Sequence, residues 1–218
     1  EILLTTPNVS AAKIRRAMQL RTRCDGFVQA VDTEANARDL GDAAREAGIV
    51  ADIVIDVDPG GHRTGVTAGE PALALAQLVD SLPSLRLRGM LCYDGGAQHV
   101  SGFEARRTRA IEGLAPAAET FSRMQQSGLN VEIFSGGGTG TYNIDHATPG
   151  FTDVQGGSYV FLDAQYLSIG GEDDDDTYND FRPSLTILTT VVNAEYEGRA
   201  TTDAGAKSCT INRPWSIV

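Results

Sequence analysis

Short apolar runs along the chain alternate with stretches in which apolar residues recur every three or four positions. The first pattern suits strands buried in a sheet, the second amphipathic helices. Ile2-Leu3-Leu4 is a strand-like run ending at Pro7. Ser10 can cap a helix carrying Ile14, Ala17 and Met18 at helical spacing. Phe27 to Val31 reads as the next strand. Asp32 or Thr33 then starts a helix with Ala37, Leu40, Ala44 and Ala47 on one face, closed by Gly48. Ile53 to Asp58 is the clearest strand, because β-branched residues dominate it. It runs into the turn Pro59-Gly60-Gly61-His62-Arg63-Thr64-Gly65, after which Leu75, Leu78, Val79 and Leu82 mark a helix. Leu87 to Cys92 is a further strand. Phe103, Ala110, Leu114, Ala117, Phe121 and Met124 mark a long helix, with a bend expected at Pro116. Val131 to Phe134 is a strand that ends in Ser135-Gly136-Gly137-Gly138-Thr139-Gly140.

Strand–helix alternation at this pitch predicts a parallel α/β sheet. Periodicity alone leaves a closed barrel and an open doubly wound sheet both standing. Polar and glycine-rich clusters follow at least three successive strands, which favours a (β/α)8 TIM-type barrel, since barrels build their sites there. An open sheet concentrates its site at one switch point. After about residue 183 the pattern changes. Leu185 to Val192 reads as an antiparallel strand with no helix after it, and Arg199 to Asp203 can pair with it across Glu197-Gly198. The expected division is therefore an α/β barrel over 1–183 and the beginning of a β-rich C-terminal domain over 184–218.

A hydrophobic content of 41% with 22% charged residues supports a sizeable core in the 218-residue chain. No apolar run is long enough to cross a bilayer, so no membrane association is expected. The net charge of −11 repels phosphate backbones and argues against nucleic-acid binding. Part of the excess lies in Glu172-Asp173-Asp174-Asp175-Asp176, which reads as a solvated loop. Cys24, Cys92 and Cys209 show no disulfide or zinc pattern, and a cytoplasmic location is expected. No signal peptide is visible, and a start upstream of Glu1 is expected because the chain does not begin with Met.

The strongest chemical signal is Ser135-Gly136-Gly137-Gly138-Thr139-Gly140-Thr141. Glycines let a ligand approach successive backbone N–H groups, which together form a nest for an anion, and Thr139 adds a hydroxyl. The bland alternative is a flexible turn. Gly157-Ser158-Tyr159 is a second turn of this kind, so one phosphate held from two sides is expected. Arg63, after the clearest strand, can serve a carboxylate, a phosphate or a heterocyclic nitrogen, or can simply be a surface arginine. Tyr93 and Asp94 end the next strand before Gly95-Gly96. His62, His99 and His146 lack the H-x-x-x-H spacing of a metal site.

In order, Asp56 to Asp58, His62 to Val66, Cys92 to Gly95, Ser135 to Thr141, Gly157 to Asp163 and Asp203 to Lys207 resemble the D-threonine aldolase and D-serine dehydratase-like family. The resemblance spans nearly the whole chain. It implies fold type III: a barrel of the alanine racemase type, here without its first strand, followed by a β domain. It also implies pyridoxal 5'-phosphate, with Gly137, Gly138, Thr139, Gly157, Ser158 and Tyr159 on the phosphate, Arg63 at the ring and Tyr93 against the cofactor. Asp203 and Lys207 would be structural. The Schiff-base lysine is expected upstream of Glu1, since neither Lys13 nor Lys207 matches its motif. The family's metal ligands are expected beyond Val218, with Mn, Mg or Zn in the full-length enzyme and no metal site within this chain.

The resemblance implies a lyase acting on a small D-amino acid, of the D-threonine aldolase type that yields glycine and acetaldehyde. D-serine or D-3-hydroxyaspartate dehydratase is the close alternative. A non-catalytic cofactor-binding protein is a further one, although a β domain after residue 183 counts against it. A homodimer is a possible assembly of this architecture.

Overall fold

The computed structural model describes residues 1–174, 176–205 and 207–208. Two compact units emerge. The first comprises Glu1–Val100 and Glu104–Gly156, the second Ser101–Phe103 and the described residues from Gly157 on.

The first unit contains β1 (Ile2–Leu4), α1 (Ala11–Arg21), β2 (Phe27–Val31), α2 (Glu34–Glu46), β3 (Ala51–Asp58) and β4 (Val66–Thr67). They are followed by α3 (Glu70–Ser81), β5 (Leu85–Cys92), α4 (Phe103–Gln126, whose first residue groups with the second unit), β6 (Ile133–Gly136) and β7 (Asp153–Val154). The helices start where the sequence supplies caps. The Ser10 hydroxyl accepts from the Lys13 N–H, and that of Thr33 from the Asn36 N–H. Gly48, at φ 68°, provides the left-handed residue after α2. The long helix α4 runs without interruption through Pro116.

The main sheet is parallel throughout, in the order β1-β2-β3-β5-β6-β7, with β4 beside β3. Sheet order follows chain order, so every long crossover steps the same way. Right-handed crossovers then place all the helices on one face. A doubly wound sheet would reverse its order. This is the winding of a (β/α) barrel, as the clusters after successive strands led us to expect.

Alternation along the strands produces two apolar layers. Phe27, Val31, Ile53, Ile55, Met90, Cys92 and Phe134 pack toward the helices. Val28, Ala30, Val54 and Leu91, with Leu3 and Ile133, form a separate cluster on the opposite, inner face. Keeping both layers in register requires one irregularity. Ile53 pairs with Leu87 but Val54 pairs with Gly89, so Arg88 is an extra residue in β5 and a bulge forms. At the N-terminal strand ends, the fully buried Asp52 accepts from Arg86 through Nε at 2.5 Å and Nη2 at 2.6 Å. Arg88 bridges Asp52 at 3.2 Å, Glu1 at 3.2 Å and Glu132. This charged cluster occupies the N-terminal strand ends, opposite the C-terminal ends where barrels of this kind carry their chemistry.

In the second unit, Leu162, Tyr166, Ile169 and Tyr178 form a small core with Phe181 against it. Asp163 caps the short helix α5 (Ala164–Leu167), accepting from the N–H groups of Gln165 and Tyr166. β8 (Val191–Tyr196) and β9 (Arg199–Thr202) form an antiparallel hairpin, with Gly198 at φ 68° in the turn. The hairpin lies where the sequence placed it, but its first strand begins at Val191 rather than Leu185. Leu185, Ile187 and Leu188 are 68%, 51% and 99% exposed, and no strand among the described residues pairs with them. Apolar alternation without a ladder partner does not make a strand. Asp203 accepts from the Thr190 N–H at 2.8 Å and the Thr189 hydroxyl at 2.9 Å, which closes the open end of the hairpin. In the acidic run, the Asp174 side chain accepts from the N–H groups of Asp176 and Thr177. Asp175 and Cys209 lie outside the described residues. Among the described residues no helix is long and apolar enough to cross a membrane.

Candidate active site

The loops that leave β3 and β5 at their C-terminal ends enclose a cleft of about 250 Å³. Asp56, Asp58, Arg63 and Thr64 line one side, and Tyr93, Asp94, Gly95, Gly96 and Arg109 the other. Alternation on β3 makes the acidic lining. Ile55 and Val57 face the helices, so Asp56 and Asp58 face the inner side.

The structure brings Arg63 and Tyr93 together. The guanidinium carbon lies 5.2 Å from the centroid of the tyrosine ring. An exposed cation–π contact contributes only about 0.5–1 kcal/mol, so its main effect is to aim an otherwise mobile arginine. Asp58 orders the turn beneath, accepting from the N–H groups of Gly60 at 2.9 Å and His62 at 3.0 Å, with His62 Nδ1 at 2.7 Å from its second oxygen. Burial pushes the Asp58 carboxyl up, but the bonds from His62 and Gly60 outweigh it and hold the group below the usual range. His62 takes a left-handed φ of 53° within this turn.

Asp56 behaves oppositely. Burial pushes its carboxyl up to about 6, and nearby Asp32 adds to the rise, while a hydrogen bond with Thr64 and the charge of Arg63 oppose it. Its Oδ2 is buried without a hydrogen-bond partner. A native pKa above the unfolded one means the folded state holds the proton more tightly. The stability penalty is therefore absent below about pH 4, grows as pH rises and is complete above the folded value near 6. We expect Asp56→Asn to match the wild type near pH 4 and to be more stable by on the order of 2 kcal/mol at neutral pH. Urea denaturation of the cofactor-free protein at several pH values checks this, and parallel stability curves would contradict it. Cys92, beside these acids, has a thiol pushed far up by burial, which removes it as a nucleophile.

The glycine loop after β6 is built differently from a flexible turn. Ser135 to Thr141 is buried throughout. A Cβ on Gly136 would come 2.3 Å from the Cys92 carbonyl oxygen, on Gly137 2.0 Å from Asp145 Oδ2, and on Gly138 2.6 Å from Gln98 Oε1. Gly138 donates to the Thr141 hydroxyl at 3.3 Å and Gly140 to Gln98 Oε1 at 3.0 Å. The N–H groups of Gly138 and Gly140 thus point into the fold. Gly137 lines a narrow recess with Asp94, Gln98, Thr141 and Asp145, so Asp94 is the wall shared with the Arg63–Tyr93 cleft. Gly137, Gly138 and Thr139 themselves do not line that cleft. Gly157, Ser158 and Tyr159 belong to the second unit, where they are exposed at the start of a 3-10 turn, with Tyr159 against Phe181 at 5.4 Å.

Several residues that shape the site went unassigned from the sequence. Asp56 was visible as an acid at an inward position of an apolar strand. Gln98 and Asp145 carried no such signal, because what buries them is 42–43 residues away or in the following loop. Arg106, fully buried on α4, donates to the carbonyls of Gly140 at 2.7 Å and Val100 at 2.9 Å and so pins the far side of the loop. His146 and His99 are exposed, and among the described residues no cluster of His, Cys, Asp or Glu could hold a metal ion.

Arg109 of α4 is paired with Asp94 at 2.7 Å, so the aromatic wall of Tyr93, the Arg63 guanidinium and the orphaned buried Oδ2 of Asp56 are the groups left to a ligand, and they fit a planar heterocycle with polar ring atoms such as the ring of pyridoxal phosphate. Residues 1–165 match the family of the alanine racemase N-terminal domain. The 3-hydroxy-D-aspartate aldolase of Paracoccus denitrificans (strain Pd 1222) is 31% identical over 213 residues, covering 97% of this chain and 55% of the relative. The D-threo-3-hydroxyaspartate dehydratase of Delftia sp. (strain HT23) is 30% identical over 207 residues, covering 93% of this chain and 52% of the relative. The crystal structure of D-threonine aldolase from Filomicrobium marinum superposes with a TM-score of 0.84 at 30% identity, covering 97% of this chain and 56% of that one. The chain thus spans about half the length of the relatives it matches. By its family match and its winding, it belongs to the alanine racemase N-terminal domain family, among the fold-type III barrels related to D-threonine aldolase.

Proposed function

We propose that the protein to which this chain belongs is a pyridoxal-phosphate-dependent lyase of D-β-hydroxy amino acids, of the D-threonine aldolase type. The observation that carries this reading is the fold match to D-threonine aldolase over 97% of the chain. The cleft at the strand ends stands where barrels of this kind do their chemistry.

When bound, pyridoxal phosphate supplies an electron sink for negative charge at the substrate α-carbon. The chain's own residues bind and orient. Arg63 would contact the ring edge and Tyr93 would lie against the cofactor. By the family resemblance, Gly137, Gly138 and Thr139, and likewise Gly157, Ser158 and Tyr159, would hold the phosphate. Asp56, poised near 6 beside Arg63, can hold or release a proton at its orphaned Oδ2. A divalent metal is part of the proposal for the full-length enzyme, as is a lysine outside this chain that carries the cofactor.

A dehydratase is the second reading, favoured by the 30% identity to the Delftia enzyme, close to that of the aldolases. Cofactor binding tests what the two readings share. Full-length protein purified with pyridoxal phosphate is expected to show an absorbance band at the visible edge that borohydride abolishes. A protein that stays colourless at saturating cofactor would overturn both readings.

A further inference from the structure

Beneath the glycine loop lies a polar chain that packing alone does not call for. Gln98, Thr141 and Asp145 are each 1% exposed. The Thr141 hydroxyl donates to Asp145 Oδ2 at 2.5 Å and accepts from Gln98 Nε2 at 3.0 Å and from the Gly138 N–H at 3.3 Å. Gln98 Oε1 accepts from the Gly140 N–H at 3.0 Å. Asp145 also abuts the loop directly, since a Cβ on Gly137 would overlap its Oδ2. One carboxyl group thereby fixes the hydroxyl, the hydroxyl and amide fix two loop N–H groups, and the loop has one shape. Replacing such a network by apolar groups of equal volume is often neutral for stability, so a buried carboxyl here asks for another explanation.

We propose that Asp145, acting through Thr141 and Gln98, is the positioning residue that sets the N–H directions of the loop from Gly137 to Gly140, and with them the affinity for the cofactor phosphate. This rests on the reading that the loop holds that phosphate. It goes further in assigning control of the loop to a group that need not touch the cofactor.

The charge state of Asp145 gives the assignment a signature. Burial pushes its carboxyl up to about 6, its bond with Thr141 and the charge of His146 lower it, and Asp94 raises it. Of the residues around the recess, Asp94 faces it from the loop after β5 and is itself paired with Arg109 of α4 at 2.7 Å, while Ala97, Ala110 and Leu114 are apolar. The buried Cys92 thiol stays protonated. Above about pH 6, therefore, a negative charge develops under a loop that receives an anion.

The test is titration of the cofactor-free full-length protein with pyridoxal phosphate, read by absorbance from about pH 5 to about pH 8. Relative to Asp145→Asn, the wild type is expected to lose affinity by about tenfold as pH rises through 6. Thr141→Val breaks the relay without altering charge and is expected to lose a similar factor at every pH, with Thr141→Ser restoring it. Circular dichroism shows which variants fold. Should folded Asp145→Asn bind with the wild-type affinity and pH profile, the positioning role is overturned while the lyase reading stands. A wild type that binds no pyridoxal phosphate at any pH overturns both.

Discussion

Replacing Gly89 by alanine is expected to destabilise the barrel by roughly 4 kcal/mol or more and to lower its thermal midpoint by about 10 °C. Two independent costs add at this position. Gly89 has φ 145°, a backbone region that side chains rarely adopt, which costs about 1–3 kcal/mol. A Cβ there would also lie 2.0 Å from the Ile133 carbonyl oxygen, on the neighbouring strand β6. Backbone cannot move aside as a flexible side chain can, so relief requires β5 and β6 to separate. Gly128→Ala supplies the control. Its φ is 78° but a Cβ there meets nothing within 4 Å, so only strain is incurred, about 1 kcal/mol. Equal melting temperatures for the two variants would mean that the bulge is not locked as the structure shows.

Arg63→Ala is expected to weaken pyridoxal phosphate binding by about 10–100-fold while leaving the fold intact. A charge-assisted hydrogen bond to a ligand contributes about 1.5–3 kcal/mol, whereas the exposed contact of Arg63 with Tyr93 contributes little to folding. Arg63→Lys is expected to recover only part of the loss, because an ammonium lacks the planar fork that lies over the ring. Absorbance titration gives the affinity and a thermal melt gives the stability. A variant with wild-type affinity would show that the cofactor does not use the cleft between β3 and β5.

Much of the fold was legible because local chemistry and global winding agree. Ser10 and Thr33 announce helix starts, Gly48 an end, and the β-branched run from Ile53 a buried strand. What stayed hidden is what depends on distant partners. The extra residue Arg88 leaves no mark in an apolar run, since only pairing with Val54 shows that Gly89 takes its place in the ladder. β6 starts at Ile133 rather than Val131 because its ladder with β5 begins at Gly89. Arg63 and the glycine loop stood out in the sequence because each comes after a strand, and Tyr93 through the family resemblance; the structure brings Arg63 and Tyr93 together. That the glycines fit against Gln98 and Asp145, with two of their N–H groups turned inward, could not be read from the sequence. It arises from segments far apart in the chain, and it changes the loop from an open nest to a shaped one whose geometry is held from below.

We propose that this chain forms the cofactor-binding barrel of a lyase for D-β-hydroxy amino acids. It is tested most directly by product analysis of the full-length protein, supplied with pyridoxal phosphate and a divalent metal and given D-threonine or D-3-hydroxyaspartate. Glycine with an aldehyde is the predicted result, and ammonia with an oxo acid would assign the dehydratase instead. Neither pair of products from either substrate, in a protein that binds the cofactor, would contradict the account.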